Sequence, residues 1–188
     1  GFINDLGYDM YHKILDEAVQ ELKETEFRAL FETDLAQIAE SLTVDCQIET
    51  DLRVLIPEEY VQSISERLAL YTRLDEIENE EELGTFVSEM EDRFGQMPNE
   101  VRDMTELVRC RWKAQRLRVE KILLKNNMLK LYFVSTDIPQ DIVVRVIQFV
   151  NSKKGQCQLR EKSGKMILQL DKVSTIPELN TILVDILG

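Results

Sequence analysis

Residues 98–133, PNEVRDMTELVRCRWKAQRLRVEKILLKNNMLKLYF, change their hydrophobic period part-way along, and that change decides the fold class. Up to about residue 118 the apolar residues recur at helical steps in two stripes. Val101, Met104, Val108 and Trp112 lie on one, Leu107, Cys110, Ala114 and Leu117 on the other. A helix apolar on two sides must be covered on two sides, so this one belongs in a central position. Pro98 suits its first turn. Beyond it the period falls to two. Ile122 and Leu124, then Leu129, Leu131 and Phe133, flank Asn126-Asn127, which predicts a β-hairpin closed by a two-residue turn.

Toward the C-terminus the pattern repeats in outline. Pro139 to Val150 reads as a helix with Ile142, Val143, Val146, Ile147 and Val150 inward. Residues 156–162 and 165–170 make a second hairpin around Ser163-Gly164. Ser174 or Thr175 caps a last helix holding Leu179, Ile182, Leu183, Ile186 and Leu187. Toward the N-terminus, Gly95 ends a helix over about 80–94 in the manner of an αL cap, with Leu83, Phe86, Val87, Met90 and Phe94 on one face. Pro57-Glu58-Glu59 opens an earlier helix striped by Val61, Ile64, Leu68, Tyr71, Leu74 and Ile77. Before it, Cys46, Ile48, Leu52 and Val54 mark a strand ending at Ile56-Pro57. Residues 8–22 read as a helix, and 23–44 as an acidic amphipathic one striped by Phe27, Leu30, Phe31, Leu35, Ile38 and Leu42. Helices, a strand, helices, then hairpin, helix, hairpin, helix is α+β rather than alternating βαβ: several helices packed with short antiparallel hairpins and an N-terminal helical extension.

Charge is divided along the 188 residues. Residues 1–100 carry 26 Asp/Glu against 7 Lys/Arg, and residues 101–188 carry 16 Lys/Arg against 9 Asp/Glu, giving the net −12. A net-acidic chain gains little from counterion release, so nucleic acid is not the expected main partner. A basic protein surface suits the acidic half. No run of eighteen apolar residues and no basic-then-apolar leader occurs, so no membrane role is expected. Cys46, Cys110 and Cys157 are odd in number and far apart, which fits a reducing, cytoplasmic setting better than zinc or disulfides.

Catalytic chemistry lacks its parts. His12 is the sole histidine, which leaves no common metal set and no cofactor expected in this chain. Ser163-Gly164-Lys165 faintly resembles a phosphate loop, yet Leu159 stands where its first glycine belongs and Met166 where its Ser/Thr would hold magnesium. The acids Glu76, Glu78, Glu80, Glu81 and Glu82 read as a solvated junction. Arg102, Arg109, Arg111, Lys113, Arg116, Arg118, Lys121 and Lys125 form the main basic group, with only Trp112 among them and on the core side, so intramolecular pairing is the expected use.

Two stretches resemble one family. Gly1-Phe2-Ile3 through Gly7-Tyr8-Asp9-Met10-Tyr11 and on to Val19 looks like the close of the DNA-translocase motor of bacterial transcription-repair coupling factors. Leu55-Ile56-Pro57-Glu58-Glu59-Tyr60-Val61, Arg67-Leu68-Ala69-Leu70-Tyr71-Thr72-Arg73-Leu74 and Asp92-Arg93-Phe94-Gly95 resemble that family's C-terminal regulatory domain. The resemblance divides the chain into a motor tail (1–22), an acidic connector (23–44) and the regulatory domain (45–188). It implies a non-catalytic module within an ATP-dependent translocase, whose ATP and magnesium belong to the motor. Such a module docks on the same protein's N-terminal UvrB-like module, masks UvrA binding and restrains the motor, while RNA polymerase and DNA are engaged elsewhere. The docking residues it implies are Glu89, three before the motif, with Asp92 and Arg93 inside it. A rotation of 100° per residue sets Glu89 and Asp92 opposite the apolar side of their helix. The competing reading is an accessory nucleic-acid-binding domain built on residues 102–125.

Overall fold

The computed structural model describes residues 46–134 and 138–188. The expected helices over 8–22 and 23–44, and His12, lie outside the described residues. Among the described residues, five helices and a five-stranded mixed sheet make an α+β fold. The described residues fall into two compact units: Arg53–Thr105, and Cys46–Leu52 with Glu106–Gly188.

The first unit holds α1 (Ile64–Glu76), α2 (Glu80–Phe94) and the opening turns of α3 (Asn99–Arg116). α1 starts at residue 64 rather than 57. Tyr60 and Val61 N–H both return to the Pro57 carbonyl, which makes one isolated turn. The buried Arg67 guanidinium then takes the Val61 carbonyl at 2.6 Å and the Gln62 carbonyl at 3.0 Å, holding those residues out of the helix. Ser63 provides the cap by accepting the Glu66 N–H. Val61 remains buried, as its place in the stripe predicts.

The second unit contains the sheet, in the order β1-β2-β3-β5-β4 (β1 Gln47–Thr50, β2 Val119–Lys125, β3 Met128–Phe133, β4 Cys157–Lys162, β5 Lys165–Asp171). Its remaining elements are the rest of α3, α4 (Gln140–Ser152) and α5 (Ile176–Leu187). Both expected hairpins are present. Asn126 and Asn127 sit at φ 54° and 56°, and Ser163 and Gly164 at 53° and 76°. Two consecutive positive φ values are what a type I′ turn requires, and Asn and Gly tolerate them best. β1 differs from expectation twice. It runs parallel to β2, so the residues between them act as a long crossover. It also stops at Thr50, because the Thr50 hydroxyl accepts the Leu52 N–H and the Asp51 carboxylate accepts the Asn126 N–H. Val54 and Ile56 are buried in the first unit instead.

Alternation gives the sheet two different faces. Ile122, Leu124, Leu129, Leu131, Leu168 and Leu170 are all 5% exposed or less. Both stripes of α3 are buried apart from the half-buried Trp112. In α4 the inward residues are Ile142, Val146 and Phe149, with Val143 and Val150 half-buried, while Ile147 is exposed, contrary to its expected place. Thr175 caps α5 in a full capping box with Glu178.

Candidate protein-interaction face

α2 is an amphipathic helix with a strong start. Asn79 caps it by accepting the Glu82 N–H at 2.9 Å, Glu82 reaches back to the Glu78 N–H at 3.0 Å, and Glu80, Glu81 and Glu82 fill the first turn. Carboxylates there oppose the positive end of the helix dipole. Leu83, Phe86 and Met90 point inward and are at most 1% exposed, with Val87 and Phe94 half-buried beside them. Glu89 and Asp92 therefore fall on the exposed side, one turn apart, as the helical rotation predicts.

The three sequence-predicted residues do not share one environment. Glu89 pairs with Arg73 of α1, whose guanidinium also lies 5.5 Å from the Phe86 ring centre. The Arg73 hydrogen bond holds the Glu89 carboxyl below the usual carboxylate range. Arg93 turns back to Glu66 at 2.6 Å and lies 4.7 Å over the Phe94 ring, so it is engaged within the first unit. Asp92 is exposed and has no ion-pair or hydrogen-bond partner among the described residues. Phe94 meets Tyr60 edge-on at 5.8 Å, and the Tyr60 hydroxyl donates to the Gly95 carbonyl at 2.8 Å. Burial raises the Tyr60 phenol pKa, with Glu91 adding to it. Gly95 has φ 85° and ψ −168°. The φ is positive as expected, but the ψ is extended rather than αL, a region essentially reserved for glycine.

Glu66 and Arg73 escaped the sequence reading. A signal existed: α1 and α2 are joined only by Ile77–Asn79, which makes them antiparallel neighbours. Arg73 meets Glu89 and Glu66 meets Arg93 across that pair of helices, but their unequal distances from the loop mean that spacing alone does not name them. The basic group of residues 102–125 does not present a single free surface. Arg109 pairs with Glu106, Lys113 with Asn180, and Lys121 and Lys125 with Glu49, while Arg111 is buried. Ser163-Gly164 is a hairpin tip, and Lys165 beside it pairs with Glu120. Among the described residues no group of three or more His, Cys, Asp or Glu is placed to hold a metal, and no helix is long and apolar enough to cross a membrane.

Residues 50–141 match the family model of the TRCF domain, and the matched span contains all of α1, α2 and α3. The chain belongs to the TRCF domain family. It is 31% identical over 132 residues to the transcription-repair-coupling factor of Bacillus subtilis, covering 70% of this chain and 10% of that protein. To the factor of Escherichia coli it is 31% identical over 124 residues, 65% of this chain and 10% of that one. To the factor of Rickettsia conorii it is 27% identical over 160 residues, 85% and 13%. The chain thus spans 10–13% of the length of these relatives. A crystal structure of the C-terminal domain of transcription-repair coupling factor superposes with a TM-score of 0.60 at 16% identity, over 78% of this chain and 95% of that one. The TRCF domain here therefore shares that domain's fold.

Proposed function

We propose that this TRCF domain serves transcription-coupled repair as a regulatory docking module of a transcription-repair coupling factor. In this reading the outer face of α2 binds the UvrB-like N-terminal module of the same protein, masks UvrA binding and restrains an ATP-dependent DNA translocase, all in the cytoplasm. One observation carries the reading: Glu89 and Asp92 lie side by side on the exposed face of a helix whose other side is filled by Leu83, Phe86 and Met90. Asp92 offers a carboxylate with no partner among the described residues, and Glu89 one that a basic surface could share with Arg73. Arg93 acts indirectly here, by fixing the end of α2 against α1 through Glu66. The ATP and magnesium of the translocase lie with its motor in this reading, and RNA polymerase and the duplex DNA on which the motor moves meet other parts of the protein.

The test is a pull-down of this chain on the separately expressed UvrB-like module, with Glu89→Ala/Asp92→Ala beside the parent sequence. Retention falling at least tenfold while the melting temperature stays within a degree or two supports the reading. In the whole protein the same pair should tighten UvrA binding, because a masked site gains affinity in proportion to its unmasked fraction. Unchanged retention of a folded double variant sinks the assignment.

A further inference from the structure

We propose that the open face of the sheet in the second unit is a binding platform for single-stranded nucleic acid. The platform goes beyond the α2 docking face and uses different residues. One row across the sheet reads Lys121, Tyr132, Ile167, Arg160 on β2, β3, β5 and β4, each residue registered opposite the next. Tyr132 and Ile167 are half-buried, so an aromatic ring lies beside an aliphatic patch with a cation at either end. Three inter-strand spacings separate the two cations, about 14 Å. The row below adds Leu123 and Lys130, registered as a pair, and below that come Lys125 and Met128. At the opposite end Lys162 and Lys165 are paired across the β4–β5 turn.

Charge on this face favours phosphate. Six cations, Lys121, Lys125, Lys130, Arg160, Lys162 and Lys165, stand against Glu49, Glu120 and Asp171, a surplus of three. Glu49 holds Lys121 and Lys125, and Glu120 holds Lys165, with side-chain exposures of 32%, 42% and 42% for the three lysines. Such exposed pairs contribute little and exchange readily for a phosphate oxygen. Residues 46–52 and 106–188 together carry 15 Lys/Arg against 10 Asp/Glu, so the unit bearing this face is basic although the chain is net −12. An aromatic ring on a half-exposed sheet face offers a base a stacking surface while neighbouring cations follow the backbone. A peptide entering a sheet by strand addition needs a free edge, and these residues lie on the face.

The experiment is fluorescence anisotropy of a labelled twelve-nucleotide oligo-dT and oligo-U with the full chain, in 50 and 200 mM salt. Three effective phosphate contacts predict an affinity about 20-fold weaker at the higher salt. Lys130→Glu/Arg160→Glu turns the surplus of three into a deficit of one and should weaken binding more than tenfold with an unchanged melting temperature. Tyr132→Leu should weaken it severalfold and Tyr132→Phe hardly at all, a split that separates stacking from folding. Arg102→Glu/Arg116→Glu, on α3, and Glu89→Ala/Asp92→Ala, on α2, should leave binding as it is. No binding at 50 mM salt overturns the proposal. So does loss through the α3 pair with the sheet pair silent, or tighter binding of a poly-glutamate peptide than of the oligonucleotide, which would make the face a site for an acidic protein.

Discussion

Replacing Tyr71 with Phe removes a single oxygen from the interior of the first unit. Tyr71 is 5% exposed, and its phenolic oxygen accepts the N–H of Ile56, itself 2% exposed, at 2.8 Å. Ile56 lies past the end of β1 and before the Pro57 turn, so no strand neighbour takes over that donor. Phe keeps the ring, which makes the cavity contribution small and isolates the hydrogen bond. A buried donor left unsatisfied costs about 1–3 kcal/mol. Taking the middle of that range, a chain of this length should lose about 4–8 °C in melting temperature. Urea titration followed by circular dichroism should show a lower midpoint with an unchanged slope. The pH dependence gives an independent check. Burial is the main influence on the Tyr71 phenol and raises its pKa above the ordinary 10.0. The unfolded chain therefore ionises first, and this contribution is complete below pH 10 and lost as pH rises through the folded value. Phe has no such loss, so the stability gap between the two proteins should narrow above pH 10. An unchanged midpoint, or a gap that widens in alkali, would refute the reasoning.

Four further outcomes are expected. Gly84 lies inside α2 with nothing within 4 Å of an added Cβ, so Gly84→Ala should stabilise by about 0.5–1 kcal/mol, read as a higher urea midpoint. Thr175→Ala breaks the capping box of α5 and should cost about 1 kcal/mol. Glu178 is held below its ordinary 4.5 by the Ser174 N–H first and by Thr175 after it, so its contribution is present above that value and fades as pH falls; Glu178→Gln should flatten the acid limb of the stability curve. Burial pushes the Cys110 thiol up to about 12 and Cys157 to about 11, and Cys46 is buried too, so maleimide at pH 8 should label none of the three until urea unfolds the chain.

Periodicity made the sheet legible, because one face of β2, β3 and β5 carries the buried residues and the turns carry their own chemistry. Asn126-Asn127 and Ser163-Gly164 announce positive φ, and both hairpins follow from that. The strand β1 was legible only in part. Ile48, with Cys46 just before the strand, shows the right alternation, but the parallel partner is some seventy residues away, and no local pattern encodes a pairing at that distance. Pro57-Glu58-Glu59 has the composition of a first helical turn but forms only an isolated one. What moves the start of α1 to Ile64 is the buried Arg67, a nearby side-chain competitor for the Val61 and Gln62 carbonyls that a propensity argument does not count. In α4 the stripe of five β-branched residues points Ile147 inward, yet Phe149 takes the buried position and Ile147 is exposed.

The Asp-Arg-Phe-Gly motif shows how a sequence signature can combine two kinds of residue. Phe94 packs on Tyr60, Gly95 supplies a backbone conformation only glycine adopts easily and an acceptor for the Tyr60 hydroxyl, and Arg93 ties α2 to Glu66 of α1. Those three explain themselves from within the first unit, without any partner molecule. Asp92 does not, since nothing among the described residues engages it and its exposed position fills no core. A substitution at Arg93 should therefore disturb the α1–α2 pairing along with any docking, so its phenotype alone cannot assign a contact. Asp92, tested singly, carries no such ambiguity: loss of docking there would come from the surface, because the fold has no use for that carboxylate.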